Sequence, residues 1–199
     1  MANLITLSEY KIAKKISGLS DDDRLTAIID SVSQLVKTYC NNSFVDYYSG
    51  YGKQEDFSIR YGENFIQLSE FPVVTIRDVY ERDNISESFS AANSLVEDQD
   101  YYLDKTVDSI YRIDSRGNLT AFKSGTNTIR VVYNAGYSDT PADLKLAVID
   151  LVAYYHKDEH KARQTIAGAS IQNQGSTSQR NNVAFPDHIK RVLDLYKNF

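Results

Sequence analysis

Residues 129–155 read IRVVYNAGYSDTPADLKLAVIDLVAYY, and the hydrophobic period changes inside this stretch. Ile129 to Tyr133 is a short β-branched and aromatic run of the kind a strand requires. The polar, glycine-bearing run Asn134-Ala135-Gly136-Tyr137-Ser138-Asp139-Thr140-Pro141 then breaks the pattern. Beyond it, Leu144, Ala147, Val148, Leu151, Val152 and Tyr155 fall on one stripe at 3.6 residues per turn, which predicts an amphipathic helix over about 142–160. Pro141 sits near the first turn, where its missing N–H does no harm.

The same kind of stripe occurs upstream, in Leu25, Ile28, Ile29, Val32, Leu35, Val36 and Tyr39. It predicts a helix over about 21–40, with Ser20-Asp21-Asp22-Asp23 supplying a cap and negative charge at its positive end. Asn41-Asn42 ends it. Thr6-Leu7-Ser8-Glu9 fits a capping box for a shorter helix, about 7–17, closed by Gly18. Between the two stripes the period is that of strands: Phe44–Tyr48, Phe57–Tyr61, Phe65–Leu68, Val73–Tyr80, Tyr101–Leu103, Ile110–Ile113 and Ile129–Tyr133. Turn residues separate these segments and no helix-length run interrupts them. An antiparallel meander or small barrel is therefore expected rather than βαβ units. Ser86–Glu97 reads as a loop or one helical turn. The expected fold class is α+β. A small helical bundle (1–43 and 134–163) buries its stripes against each other around an inserted antiparallel β-rich segment (44–133).

Gln164–Asn182 is rich in Gly, Ser, Gln and Asn and nearly without large apolar residues. It cannot bury enough surface to offset its ordering entropy, so a flexible arm is expected over 164–199. Phe185-Pro186-Asp187 opens a last helix, about 187–197, with Ile189, Val192, Leu193 and Tyr196 on one side. A helix this short is marginal alone and must dock. It either folds back on the chain's own core or lies in a groove of another protein through i, i+3, i+4 and i+7 anchors, and the polar, cationic lead-in favours the second.

The formal charge is −5, unevenly spread. Residues 161–199 hold six Lys or Arg against two Asp, a net +4, leaving −9 on the first 160. An acidic body does not hold nucleic acid tightly, because it releases no phosphate counterions. Fifteen Tyr with no Trp suggest many half-buried ring-and-hydroxyl contacts, as in sheets and subunit interfaces. The single Cys40 cannot form an internal disulfide and reads as a small buried hydrophobe. The beginning MANLITLSEYK lacks the charge-then-apolar order of a signal peptide, and no run is apolar enough to span a membrane. The sequons at Asn41, Asn84 and Asn118 are therefore expected to carry no sugar.

One pattern invites a catalytic reading. His156-Lys157-Asp158-Glu159-His160 matches H-x-x-E-H, with both imidazoles on one helical face. No Glu follows Glu159 to complete a zinc site, and the motif lies where the stripe runs out, so a solvated helix end is expected. Phosphate-binding and nucleophile-elbow signatures are absent, and Asp98, Asp100 and Asp104 lack the glycine of a calcium loop. No cofactor or metal is expected, and no enzyme.

Four stretches, taken in order, carry a family resemblance: LITLSEYKIAKKISGLSDDDRLTAIIDSVSQLVKTYCNNSF, FIQLSEFPVVTIRDVYE, DYYLDKTVDSIYRID and TIRVVYNAGYSDTPADLKLAVIDLVAYYHKDE. With the tail FPDHIKRVLDLYKNF they cover about two-thirds of the chain. The most specific piece is V-V-Y-N-A-G-Y followed by Pro141 and an amphipathic helix. The whole resembles the head–tail connector (adaptor, head-completion) proteins of tailed phages and gene transfer agents. Ser86–Glu97 and the polar run before the tail are long for that group. The resemblance implies a structural ring, usually of twelve subunits, seated below the portal in the virion neck and assembled in the bacterial cytoplasm. It implies as partners the portal protein, neighbouring copies and a downstream neck or tail protein, with DNA passing through unbound and no membrane. On this reading the tail docks on the portal through Phe185, Pro186, Ile189, Val192, Leu193 and Tyr196, with Lys190 and Arg191 adding charge contacts. Three alternatives stay open: another neck or tail-completion protein, a metal-dependent hydrolase using His156, Glu159 and His160, or a sugar- or peptide-binding β-module.

Overall fold

A computed structural model describes residues 2–157, 165–166, 169–170 and 185–197. The chain divides into two compact units, residues 1–42 with 139–199, and residues 43–138.

The first unit is helical, with α1 at Leu7–Lys14, α2 at Asp22–Cys40, α3 at Ala142–His156 and α4 at Asp187–Asp194. The capping box of α1 is present as read: the Glu9 N–H donates to Thr6 Oγ1 at 3.2 Å, and the Thr6 N–H donates to Glu9 Oε2 at 2.7 Å. Its end is not at Gly18. Lys15 itself takes the left-handed conformation, φ 56°, and the N–H groups of Lys15 and Ile16 return to the carbonyls of Ile12 and Lys11. Asn41, φ 50°, closes α2 in the same way. Asp21 occupies the N-cap of α2 without a capping bond from its side chain. The acidic run acts instead through Asp22, whose carboxylate accepts from Lys11 Nζ at 2.8 Å.

The inward side of α2 is Leu25, Ile29, Val32, Val36 and Cys40, with Ile28, Leu35 and Tyr39 half-buried at its margins. That of α3 is Leu144, Ala147, Val148, Leu151 and Val152. Leu4 and Ile5 join the same core, held by the Leu4 N–H on Ser33 Oγ at 3.1 Å and by Lys37 Nζ on the Ala2 carbonyl at 2.7 Å. Lys145 of α3 reaches Glu9 at 2.7 Å and Asp139 at 2.8 Å, and Lys14 reaches Asp150 at 2.8 Å, so α1 and α3 are pinned by ion pairs at their exposed sides. The helix predicted to run to 160 ends at His156, where Arg24 donates to the carbonyl at 3.3 Å. Glu159 and His160 lie outside the described residues. So does the polar run 164–182, apart from the antiparallel pair formed by Thr165–Ile166 (β8) and Ala169–Ser170 (β9).

The second unit holds β1 (Lys53–Ile59), β2 (Phe65–Gln67), β3 (Val73–Glu81), β4 (Ser94–Leu95), β5 (Tyr101–Asp104), β6 (Ser109–Arg112) and β7 (Gly125–Ala135). They form one sheet in the order β1-β7-β3-β4 and another in the order β2-β6-β5, all paired antiparallel. Ile59, Ile66, Leu68, Val79, Ile110, Ile129, Val131 and Tyr133 are among the residues of its core. Two expectations are corrected here. Phe44–Tyr48 is a series of turns rather than a strand, because Phe44 adopts φ 61° and its carbonyl accepts from the Tyr137 N–H at 2.7 Å. The strand expected from Phe57 begins at Lys53 and stops at Ile59. Ser86–Glu97 is a loop with one 3-10 turn at Ala91–Asn93. Among the described residues no helix is long and apolar enough to cross a membrane.

Candidate functional site

The sequence assigns the docking role to the last helix, and the structure shows where that helix rests. α4 packs on α2 and α3 of its own unit. Phe185, Ile189 and Leu193 are 4%, 2% and 0% exposed, Pro186, Val192 and Tyr196 are half-buried, and Lys190 and Arg191 face solvent. The apolar side read from the spacing is therefore the inward side. Of the eight residues, six line this intramolecular contact.

Polar contacts ring the seat. Tyr39 meets the Phe185 ring edge-on, centroids 5.0 Å apart, and donates its hydroxyl to Asp194 at 2.5 Å. The Tyr196 hydroxyl donates to Asp143 at 2.6 Å, and Lys197 stands over the Tyr39 ring at 5.0 Å. Beneath the helix, Cys40 Sγ lies 3.5 Å from the Leu193 carbonyl. Burial, with the charge of Asp194 adding to it, pushes the Cys40 thiol up to about 12, so it is unreactive while the helix is in place. Burial and the bond to Asp194 push Tyr39 up to about 12 as well. Tyr39 was visible beforehand as the last residue of the α2 stripe. Asp143 carried no signal, because a carboxylate in the first turn of a helix is explained by the dipole alone.

A second cluster, in the β-rich unit, has the look of chemistry. Lys53 Nζ lies 2.5 Å from Ser69 Oγ, 3.0 Å from Glu55 and 3.2 Å from Glu70. Ser69 Oγ also donates to Glu55, Tyr133 donates to Glu55 at 3.0 Å, and Ser43 donates to Glu70 from both its N–H (2.8 Å) and its hydroxyl (2.7 Å). A serine beside a lysine is a nucleophile and base only if the amine is neutral. Here burial works against the charged amine, but Glu55 and Glu70 outweigh it and raise the Lys53 value. Burial likewise pushes Glu55 up, and the bonds from Ser69 and Lys53 more than reverse it. An ammonium held between two carboxylates does not abstract a proton, and the cluster is a buried clamp. Among the described residues no group of three or more His, Cys, Asp or Glu stands close enough to hold a metal ion.

Comparison with known proteins gives this geometry a context. The chain shares its fold with a chain from the neck of an empty gene transfer agent (GTA) particle of C6 symmetry (TM-score 0.62, 12% identity), covering 98% of this chain and 90% of that one. A chain from the virion of a native GTA particle gives TM-score 0.61 at 12% identity with the same coverage, and one from a native GTA neck of C12 symmetry gives 0.55 at 14%, covering 100% and 96%. In sequence, the head completion protein of Escherichia phage T5 is 30% identical over 97 residues, 47% of this chain. The match spans 54%, about half, of that relative's length. The sequence model of the head completion protein family matches residues 3–199, and the chain belongs to that family.

Proposed function

We propose that the chain is a non-catalytic subunit of a virion neck, that its copies close into a ring below the portal, and that the ring continues the DNA channel toward the tail. The observation that carries this is the family match over residues 3–199, combined with a fold shared along nearly the whole chain with subunits of C6 and C12 necks. The charge is compatible with passage of DNA. The β-rich unit has fifteen acidic residues against nine basic ones, a net −6, and such a surface does not condense onto phosphate. Assembly takes place in the bacterial cytoplasm, with the portal above, like copies at either side and another neck or tail protein below.

In this reading the portal contact is made by Phe185, Pro186, Ile189, Lys190, Arg191, Val192, Leu193 and Tyr196. Because the chain itself buries Phe185, Ile189 and Leu193, docking through that face takes α4 off its seat on α2 and α3. Thirty residues, 157–186, separate α3 from α4, a contour of roughly 100 Å if fully extended. Cys40 reports the event. Mixed with the portal, the full chain is expected to expose Cys40 to a thiol reagent, and a chain ending at residue 180 to lose portal binding, its fold checked by circular dichroism because the truncation uncovers the faces of α2 and α3 that Phe185, Ile189 and Leu193 bury. Binding that survives the truncation contradicts the role of the arm. Binding that leaves Cys40 protected means that α4 docks while seated, through Lys190 and Arg191 alone.

A further inference from the structure

The outer face of the three-stranded sheet carries a row of rings that solvation does not explain. Phe65 of β2 is in register with Tyr111 of β6, and Tyr111 with Tyr102 of β5. Their neighbours Ile66, Ile110 and Leu103 point the other way, into the core. Phe65 and Tyr102 remain 51% and 50% exposed, and the Phe65 and Tyr111 centroids are 6.0 Å apart. The solvated face of an antiparallel sheet ordinarily carries polar residues. The adjacent register line of Gln67, Ser109 and Asp104 is polar, with the buried Ser109 donating its Oγ–H to Gln67 at 2.7 Å. Past β5 the border is acidic, with Glu97 bridged to Tyr101 and exposed Asp98 after it.

We propose that this aromatic row is a subunit contact and that its occupant is helix α1 of a second copy of the chain. The proposal rests on the ring reading above and names the face that the ring uses. A closed ring requires two different faces on each subunit, one meeting the other. The outer side of α1 has the complementary chemistry. Ile12 is 75% exposed there, beside an open depression of about 600 Å³ whose lining includes Leu7, Ile12, Ile16, Lys11 and Lys15. That is apolar ground for a ring, with the Lys15 ammonium at its rim for an acidic border, Lys11 being already paired with Asp22. The charge of the two units agrees: −6 on the one bearing the row, and thirteen basic against twelve acidic residues, +1, on the one bearing α1. Desolvated aromatic side chains dominate contacts of this kind, and the charged border fixes their register.

The test is ring assembly of the full chain on the portal protein of the same virus, read by native mass. Phe65→Ser with Tyr102→Ser should weaken assembly about tenfold or more, because both side chains leave the centre of the contact. Their exposure means the fold is unaffected, which circular dichroism and the unfolding midpoint verify. Lys15→Glu should weaken assembly as well, and adding Glu97→Lys should restore it. Variants that assemble like the parent overturn the proposal and leave the ring intact. Tyr102 cross-linking only to Tyr102 of the next copy also overturns it, since that contact is two-fold. A parent chain that forms no ring on the portal sinks the ring reading itself, before any variant is compared.

Discussion

Gly136 shows how much one residue carries. Its φ is +94°, and a Cβ there would collide with the Phe44 carbonyl. The close approach is used: Gly136 N–H donates to the Pro72 carbonyl at 2.8 Å, and Tyr137 N–H to Phe44 at 2.7 Å. This is the physical content of the N-A-G-Y motif, and Gly136→Ala should cost about 3 kcal/mol in urea unfolding. Glu55 makes a pH-dependent contribution. Its carboxyl is lowered from the ordinary 4.5 in the folded state, so its stabilisation is complete above that value and is lost as pH falls through the folded one. Glu55→Gln should cost about 2 kcal/mol at pH 7, and the gap from the parent should narrow below about pH 4.5. A gap that stays constant in acid would place the stabilisation elsewhere.

Among elements, α4 combines a short, uncapped helix with many specific contacts. Eight residues do not hold a helix in water. The buried Phe185, Ile189 and Leu193, with the Tyr39–Asp194 and Tyr196–Asp143 bonds, hold this one. Leu193→Ala should therefore cost about 3 kcal/mol of unfolding free energy and bring Cys40 within reach of thiol reagents. Protection of Cys40 unchanged in that variant would mean the helix stays seated without its main anchor. The inward side of α4 was legible because 3.6-residue spacing is a property of the segment alone. Its seat was not, since periodicity announces that a face is covered and is silent on what covers it. The helices α2 and α3 were legible for the same reason. The first half of β1 was not, because Lys53 and Glu55 occupy its core-facing positions opposite Tyr133 and Val131 and erase the alternation. Phe44–Tyr48 misled in the opposite sense, by aromatic and branched composition that serves a turn.

At the scale of the whole molecule, two helical segments distant in sequence flank one continuous β-rich stretch, and each unit has a core of its own. The change of hydrophobic period near residues 41–44 and 134–141 made this arrangement readable, since a core built by 3.6-residue stripes and one built by alternating strands need different patterns. The aromatic row was hidden in the tyrosine count: composition records fifteen rings, whereas register alone lines up Phe65, Tyr111 and Tyr102. The proposed function is a ring that passes DNA without binding it. The mass of the complex between the full chain and its portal tests this most directly. The account predicts a closed complex with twelve copies of the chain, matching the C12 neck that shares its fold, whereas isolated copies or no binding at all would contradict it.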